Sequence, residues 1–304
     1  MPLKTNTIKT NWKYMSSEKY VDLHVHTNYS DGAFSPAEVV EYAKKMNLAA
    51  ISITDHDSVD GIDEALRATE GSSLEIIPGI ELSSSTTDCD GQITEMHILG
   101  YYIDCKSEKL KESLSIFRKA RLDRAYKILE KLRENGVNLK NESFLENVGK
   151  KSIGRMHFAK AMADEGLVKS INDAFQRYLA VNKPAYVPKY AMTAEEAIKL
   201  ILSVGGIPVM AHPYYIHYAD KILFKSLVES GLKGIEVWHS KHPESAVKKF
   251  LALAEEFDLV ATGGSDCHGA YNNEHPLMGR IKVPYSAVEN LKRINDKEQL
   301  TKNN

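Results

Sequence analysis

Tyr20-Val21-Asp22-Leu23-His24-Val25-His26-Thr27 alternates apolar and polar side chains with period two. That is the pattern of a β-strand with one buried face. It places His24 and His26 on the same side of the strand. Two imidazoles so placed can chelate one metal ion. An isolated pair of this kind is as readily a core histidine next to a loop histidine. Just downstream, Ser35-Pro36-Ala37-Glu38 has the features of a helix start. Ser35 suits the N-cap, Pro36 the first helical position and Glu38 the third position of a capping box.

The same alternation of strand and helix continues outward. Ala49–Thr54, Leu74–Leu82 and Met96–Ile103 have strand character, and Val59–Thr69 has helix character. From Lys106 to Asn135 the chain is charged, helical in period and free of proline, with further short helices expected from Phe144 to Leu179. Strand signals return after Pro188, at Ile207–Ala211, Gly234–Trp238 and Leu259–Thr262. Helices are expected at Thr193–Ser203, Asp220–Glu229, Glu244–Glu256 and Ser286–Ile294. Strands alternating with helices imply parallel βα units. Seven of them predict an α/β fold, a distorted TIM-like (βα) barrel. The expected organisation is an N-terminal arm (1–19), a first barrel part (20–104), a helical insertion acting as a substrate cap (105–190) and a second barrel part (191–304).

With 304 residues, 43% hydrophobic and 26% charged, the chain is long enough for a sizeable core. A net charge of -2 argues against wrapping long nucleic acid by bulk positive charge. The three cysteines, Cys89, Cys105 and Cys267, form no CxxC pair, so neither a disulfide framework nor a zinc ribbon is expected. No apolar run suits a signal peptide or a membrane span. A cytoplasmic protein is expected, with no membrane partner.

Eleven histidines are present, and those with motif context fall near strand ends. Asp31 follows the first strand, His56 follows the second, Glu81 ends the third and His97 lies within the fourth. His212 follows Val209-Met210-Ala211, and Asp266 and His268 follow the last strand. In a (βα) barrel, the C-terminal strand ends build the active site. Nine candidate ligands recurring there are not scattered surface residues. Cys267, between Asp266 and His268, faces away and is expected to be a packed residue.

The ordered set HVHTNYSDG (24–32), TDHD (54–57), PGIE (78–81), EMHILGY (95–101), AHP (211–213) and GSDCH (264–268) resembles the PHP (polymerase and histidinol phosphatase) family. The resemblance covers about Tyr20–Asp104 and Ala191–Thr262, plus the last motif. It implies a distorted seven-stranded barrel, the PHP fold, holding a cluster of usually three metals. Carried onto this chain, it assigns His24, His26, Glu81 and Asp266 to one ion. Glu81, as a bridge, His97 and His212 go to a second, and Asp31, His56 and His268 to a third.

Mixed imidazole and carboxylate ligands suit two to three ions of Mn, Zn or Fe better than Ca. Such a centre attracts phosphate and turns a bridging water into a hydroxide nucleophile near neutral pH. A phosphoesterase is therefore expected, acting on a phosphorylated small molecule, a nucleotide or a short oligonucleotide. The resemblance is strongest to the branch containing nucleoside 3′,5′-bisphosphate nucleotidases and 5′→3′ exonucleases on short RNA. A histidinol-phosphate phosphatase, an amidohydrolase-type hydrolase and a non-catalytic metal-stabilised module are the alternatives. Arg155 and Lys183 are expected to bind phosphate, the first as a fork and the second as a point charge. Ser83 and Ser84 either donate to a phosphate oxygen or cap a loop. His239, at another strand end, either protonates the leaving oxygen or supports a ligand, and His157 is a second candidate for the proton.

Overall fold

The computed structural model describes residues 19–87, 91, 93–140, 154–216, 221–270 and 275–302. The expected N-terminal arm, apart from Lys19, lies outside the described residues. So do Cys89, His217 and residues 141–153 of the expected insertion.

The opening strand, β1 (Tyr20–Val25), leads through α1 (Pro36–Lys45) to β2 (Ala50–Ile53), and through α2 (Ile62–Ala68) to β3 (Glu75–Thr87). These three strands are parallel neighbours. At α1 the capping box forms as expected: Glu38 N–H donates to Ser35 Oγ at 3.3 Å, and Ser35 N–H donates to Glu38 Oε2 at 2.7 Å.

The parallel pattern breaks at β4 (Ile93–Tyr101), which pairs antiparallel with β3 from Gly79↔Tyr101 to Thr87↔Ile93. A parallel return needs a crossover of about a dozen residues or more, and the connection here is too short for one. Glu81 therefore does not end its strand as expected. The strand continues to Thr87, and Ser83 faces His97 across the ladder.

After the helical region, β5 (Met192–Thr193) adds to β3, and α6 (Ala194–Ser203) starts at a second capping box, Thr193 with Glu196. Next come β6 (Ile207–Met210), α7 (Lys221–Glu229), β7 (Gly234–His239), α8 (Glu244–Glu256) and β8 (Val260–Gly264). The chain finishes with β9 (Val283–Pro284) and α9 (Ser286–Lys302), which runs past the expected end at Ile294. The sheet order is β8-β7-β6-β4-β3-β2-β1-β9.

This sheet curls into a nearly closed barrel. Beyond β8, His26 N–H donates to Cys267 O at 3.0 Å, and Cys267 forms a parallel bridge with Val25. Glycine is required at the seam: a Cβ on Gly264 would lie 2.4 Å from His24 Cβ. Cys267 is buried, as its packing role predicts.

The long α3 (Glu108–Glu134) serves two cores. Its first half sends Leu110 and Leu114 into the core shared with α6 and the sheet. From Ala125 onward it packs with α4 (Arg155–Asp164), α5 (Ile171–Ala174) and a π-helical turn (Phe175–Leu179) in a separate apolar cluster containing Phe158, Met162 and Leu179. Among the described residues, no helix is long and apolar enough to cross a membrane.

Candidate metal centre

The motif residues, dispersed over the sequence, meet around one buried carboxylate. Glu81 Oε2 lies 3.4 Å from His24 Nε2, 3.2 Å from His26 Nε2 and 3.0 Å from His56 Nδ1. Its other oxygen lies 2.7 Å from His97 Nδ1 and 3.0 Å from His212 Nε2. Asp266 Oδ1 sits 3.1 Å from His26 Nε2 and 3.5 Å from His24 Nε2. Asp31 Oδ1 is 3.2 Å from His268 Nε2, and Asp31 Oδ2 is 3.9 Å from His56 Nε2. Three sets could each hold an ion: His26 with Asp31, His56 and His268; His24 with His26 and Glu81; His56 with Glu81 and His97.

The donor atoms fit a cation. His24 Nε2, His26 Nε2, His56 Nδ1 and Glu81 Oε2 are buried without a hydrogen-bond partner among the described residues. Buried polar atoms are costly unless something pairs with them, and a cation accepts lone pairs from all four. The protonation balance agrees. Burial pushes His97 toward its neutral form, but the adjoining Glu81 carboxylate outweighs this and raises it to about 9. At His268 the Asp31 carboxylate outweighs burial in the same way and raises it to about 10. At His56 burial prevails, and its pKa falls to about 4. Glu81, Asp31 and Asp266 stay ionised despite burial because the surrounding imidazoles hold them well below the usual carboxylate range. Metal ligation needs neutral imidazoles, so a metal and protons would compete for this centre.

A family model for the PHP domain matches residues 22–207. The chain belongs to the PHP family. It is 32% identical over 252 residues to a 3′,5′-nucleoside bisphosphate phosphatase of Chromobacterium violaceum, covering 82% of this chain and 87% of that protein. It is 33% identical over 263 residues to the 5′-3′ exoribonuclease Rnm of Escherichia coli, covering 84% and 88%. A solved structure described as a metal-dependent phosphoesterase, from Bifidobacterium adolescentis, superposes with a TM-score of 0.80 at 29% identity, covering 90% of this chain and 95% of that one.

In this PHP barrel the backbone is bent at two of the candidate ligands. His212 and Asp266 have φ of 26° and 54°, in the left-handed region that non-glycine residues seldom adopt. Such strain persists where surrounding contacts enforce it. His212 is held by its own N–H donating to Glu236 Oε2 at 2.8 Å. A cavity of about 290 Å³ opens onto the cluster, lined by His56, His97, His212, Tyr215, Asp266 and His268, among others.

The expected substrate contacts fare differently. The Ser83 and Ser84 hydroxyls are fully buried and donate within the fold, Ser83 to Asp57 Oδ2 at 2.7 Å and Ser84 to Met96 O at 2.9 Å. Both bonds lie within the β3–β4 arm and its contact with Asp57. Arg155 opens α4, and its guanidinium donates to Leu179 O at 3.2 Å. Lys183 is exposed in the turn where its N–H donates to Ala180 O. His157 Nδ1 accepts from Gly154 N–H at the start of α4, so its ring takes part in the helix cap. His239 is within the cluster: Nδ1 accepts from Lys241 N–H at 3.1 Å, and Nε2 lies 3.5 Å from Asp266 Oδ2.

Sequence reasoning missed Glu236. It is fully buried on β7 and accepts from His24 Nδ1 at 3.0 Å as well as from His212 N–H. A carboxylate inside an apolar strand was the available signal. By accepting from Nδ1, it fixes the His24 tautomer with Nε2 facing the cluster. Glu236→Ala is expected to weaken metal binding roughly 10- to 100-fold. Competition with a chromophoric chelator measures this, and unchanged affinity would remove Glu236 from the centre's support.

Proposed function

We propose that this chain hydrolyses nucleotide phosphates, either a nucleoside 3′,5′-bisphosphate or the 5′ end of a short RNA. The observation that carries this reading is the convergence of five imidazoles on Glu81 with buried, unpartnered ligand atoms. Its similarity to a bisphosphate phosphatase and an exoribonuclease supports the nucleotide assignment.

His24, His26, Glu81 and Asp266 would hold one ion, His97 and His212 a second shared with Glu81, and Asp31, His56 and His268 a third, with Mn, Zn or Fe as the candidates. When bound, such ions stabilise charge on the phosphoryl oxygens and bring the pKa of a water into the neutral range. Glu236 keeps His24 oriented. His239 is the better placed of the two proton candidates. Its Nδ1 already accepts a hydrogen bond, so its Nε2 would carry the proton beside Asp266, the atom from which it would be donated. The region from 105 to 190 would act as a cap over the cavity, bringing Arg155 and Lys183 to the substrate.

The test is release of inorganic phosphate or mononucleotide by the purified chain. Nucleoside 3′,5′-bisphosphate, AMP, histidinol phosphate and 5′-phosphorylated trinucleotides should be compared, with Mn and Zn as separate additions. Turnover of the bisphosphate or the trinucleotide, lost on chelation and restored by metal, is expected. Turnover confined to histidinol phosphate would overturn the nucleotide assignment.

A further inference from the structure

We propose that the groove between the 3₁₀ turn Pro213–Tyr215 and the start of α8 holds the second nucleotide of a short RNA, counted from its 5′ end, with the base on the Tyr214 ring and the following phosphate at Lys249. This rests on the nucleotide reading above and specifies it: the RNA would make a contact that a nucleoside bisphosphate cannot.

The turn begins directly after the candidate ligand His212, whose N–H is held by Glu236. The strand that leads into it, β6, is buried throughout, yet Tyr214 is 50% exposed and Tyr215 49%. The two rings serve different spaces. Tyr215 lines the cavity over the metal centre, its ring centre 5.3 Å from that of His212 and 6.2 Å from that of His239. Tyr214 lines a neighbouring groove of about 430 Å³, whose wall includes Ser245, Lys249 and Phe250 of α8. Ile216 lines both, so the groove adjoins the metal cavity.

A tyrosine with a packing role is covered by its neighbours. Tyr214 has the His242 ring 6.0 Å away, centre to centre, and leaves half of its surface to solvent. His242 is itself anchored, since its Nδ1 donates to Val237 O at 2.8 Å. The result is a backed but open aromatic face. Every base can stack on such a face, whatever its identity. Lys249 is exposed, and none of the residues lining the groove is acidic, so the groove's own charge is positive. That charge suits a phosphate.

Size favours a second compartment. The metal cavity is about 290 Å³, at the lower edge of the roughly 300–1,000 Å³ typical of small-ligand sites. It suits one nucleotide. In both proposed substrates a phosphate on the 3′ oxygen of the first nucleotide can lie at the metals. In a bisphosphate the chain ends there. In an RNA that phosphate continues to the 5′ carbon of the second nucleotide, which must then lie beside the metal cavity. The groove past Ile216 begins at that point.

The test compares the metal-loaded full chain with Tyr214→Ala, Tyr214→Phe and Lys249→Gln. The substrates are a nucleoside 3′,5′-bisphosphate and 5′-phosphorylated di- and trinucleotides. Tyr214→Ala is expected to raise KM for both oligonucleotides roughly 10- to 100-fold with kcat little changed, the loss of one base stack. For the bisphosphate, KM should move by less than about twofold. Tyr214→Phe keeps the ring and should stay within about twofold of wild type on all three. Lys249→Gln should raise KM about two- to fivefold for the trinucleotide alone, because the dinucleotide lacks the phosphate that Lys249 would meet. Equal effects of Tyr214→Ala on bisphosphate and dinucleotide, or none on either, would overturn the proposal. So would a wild-type chain that turns over the bisphosphate and neither oligonucleotide. Equal effects of Lys249→Gln on the two lengths would overturn the phosphate placement. If the wild-type chain hydrolyses none of the three, the functional reading fails by itself. Binding of the trinucleotide, measured by calorimetry, then decides the groove: binding at least tenfold weaker in Tyr214→Ala sustains it, and equal or absent binding in both chains removes it.

Discussion

Glu81→Gln is expected to lower kcat/KM on phosphate esters by roughly 10³-fold and to strip metal from the purified chain. Five imidazoles reach this one carboxylate, three through Oε2 and two through Oε1. A glutamine has the same shape, but one of its two oxygens becomes an NH₂. It could not take the bridging role proposed for Glu81 or balance the charge of bound ions. Lewis-acid stabilisation by a metal supplies several kcal/mol at the transition state, and each 1.36 kcal/mol is tenfold in rate. Steady-state kinetics with elemental analysis of the same sample checks both halves. Near wild-type turnover with full metal content would show that Glu81 does not bridge. The fold should survive, because Glu81 lies in the middle of a long strand paired to β4 by backbone hydrogen bonds.

The second large effect is on stability. Asp57 and Arg121 form an ion pair in which both side chains are nearly fully buried. Asp57 also accepts from Ser83 N–H and Ser83 Oγ, each at 2.7 Å. The Arg121 charge, with these hydrogen bonds, holds the Asp57 carboxyl below its usual range against the opposing effect of burial. Asp57→Ala leaves the Arg121 charge buried alone, which costs about 3–5 kcal/mol. For a chain of this size that lowers Tm by on the order of 10 °C. Replacing both partners, Asp57→Leu with Arg121→Met, should recover most of the loss, because a buried pair contributes little beyond an apolar one of similar volume. Thermal unfolding of the three chains tests this, and a single variant as stable as wild type would contradict the pairing. The contact also ties α3 to Asp57 and Ser83, so Asp57→Ala should disturb the packing of α3 before the rest of the barrel.

The candidate ligand residues, their order and the barrel class were legible in the sequence because each depends on local chemistry. Alternation from Tyr20 to Thr27 puts His24 and His26 on one side whatever surrounds them. The capping signature at Ser35 marks a helix start for the same reason: its partner lies three residues away. Nearest-neighbour strand direction was not legible at β4, because an apolar run has the same pattern whichever way it pairs. The groups that support the ligands were not legible either. Glu236 is 212 residues from His24, and Arg121 is 64 from Asp57. No periodicity links such positions, and only the closing of the sheet and the packing of α3 bring them together. Ser83 and Ser84 show the limit from the other side. Read as loop residues after Glu81, they suit either a phosphate contact or a loop cap. With the strand continued to Thr87, both hydroxyls are buried and bonded within the protein. Residue chemistry determined what the site can bind; burial, which depends on the whole fold, decided which polar groups remain available to bind it.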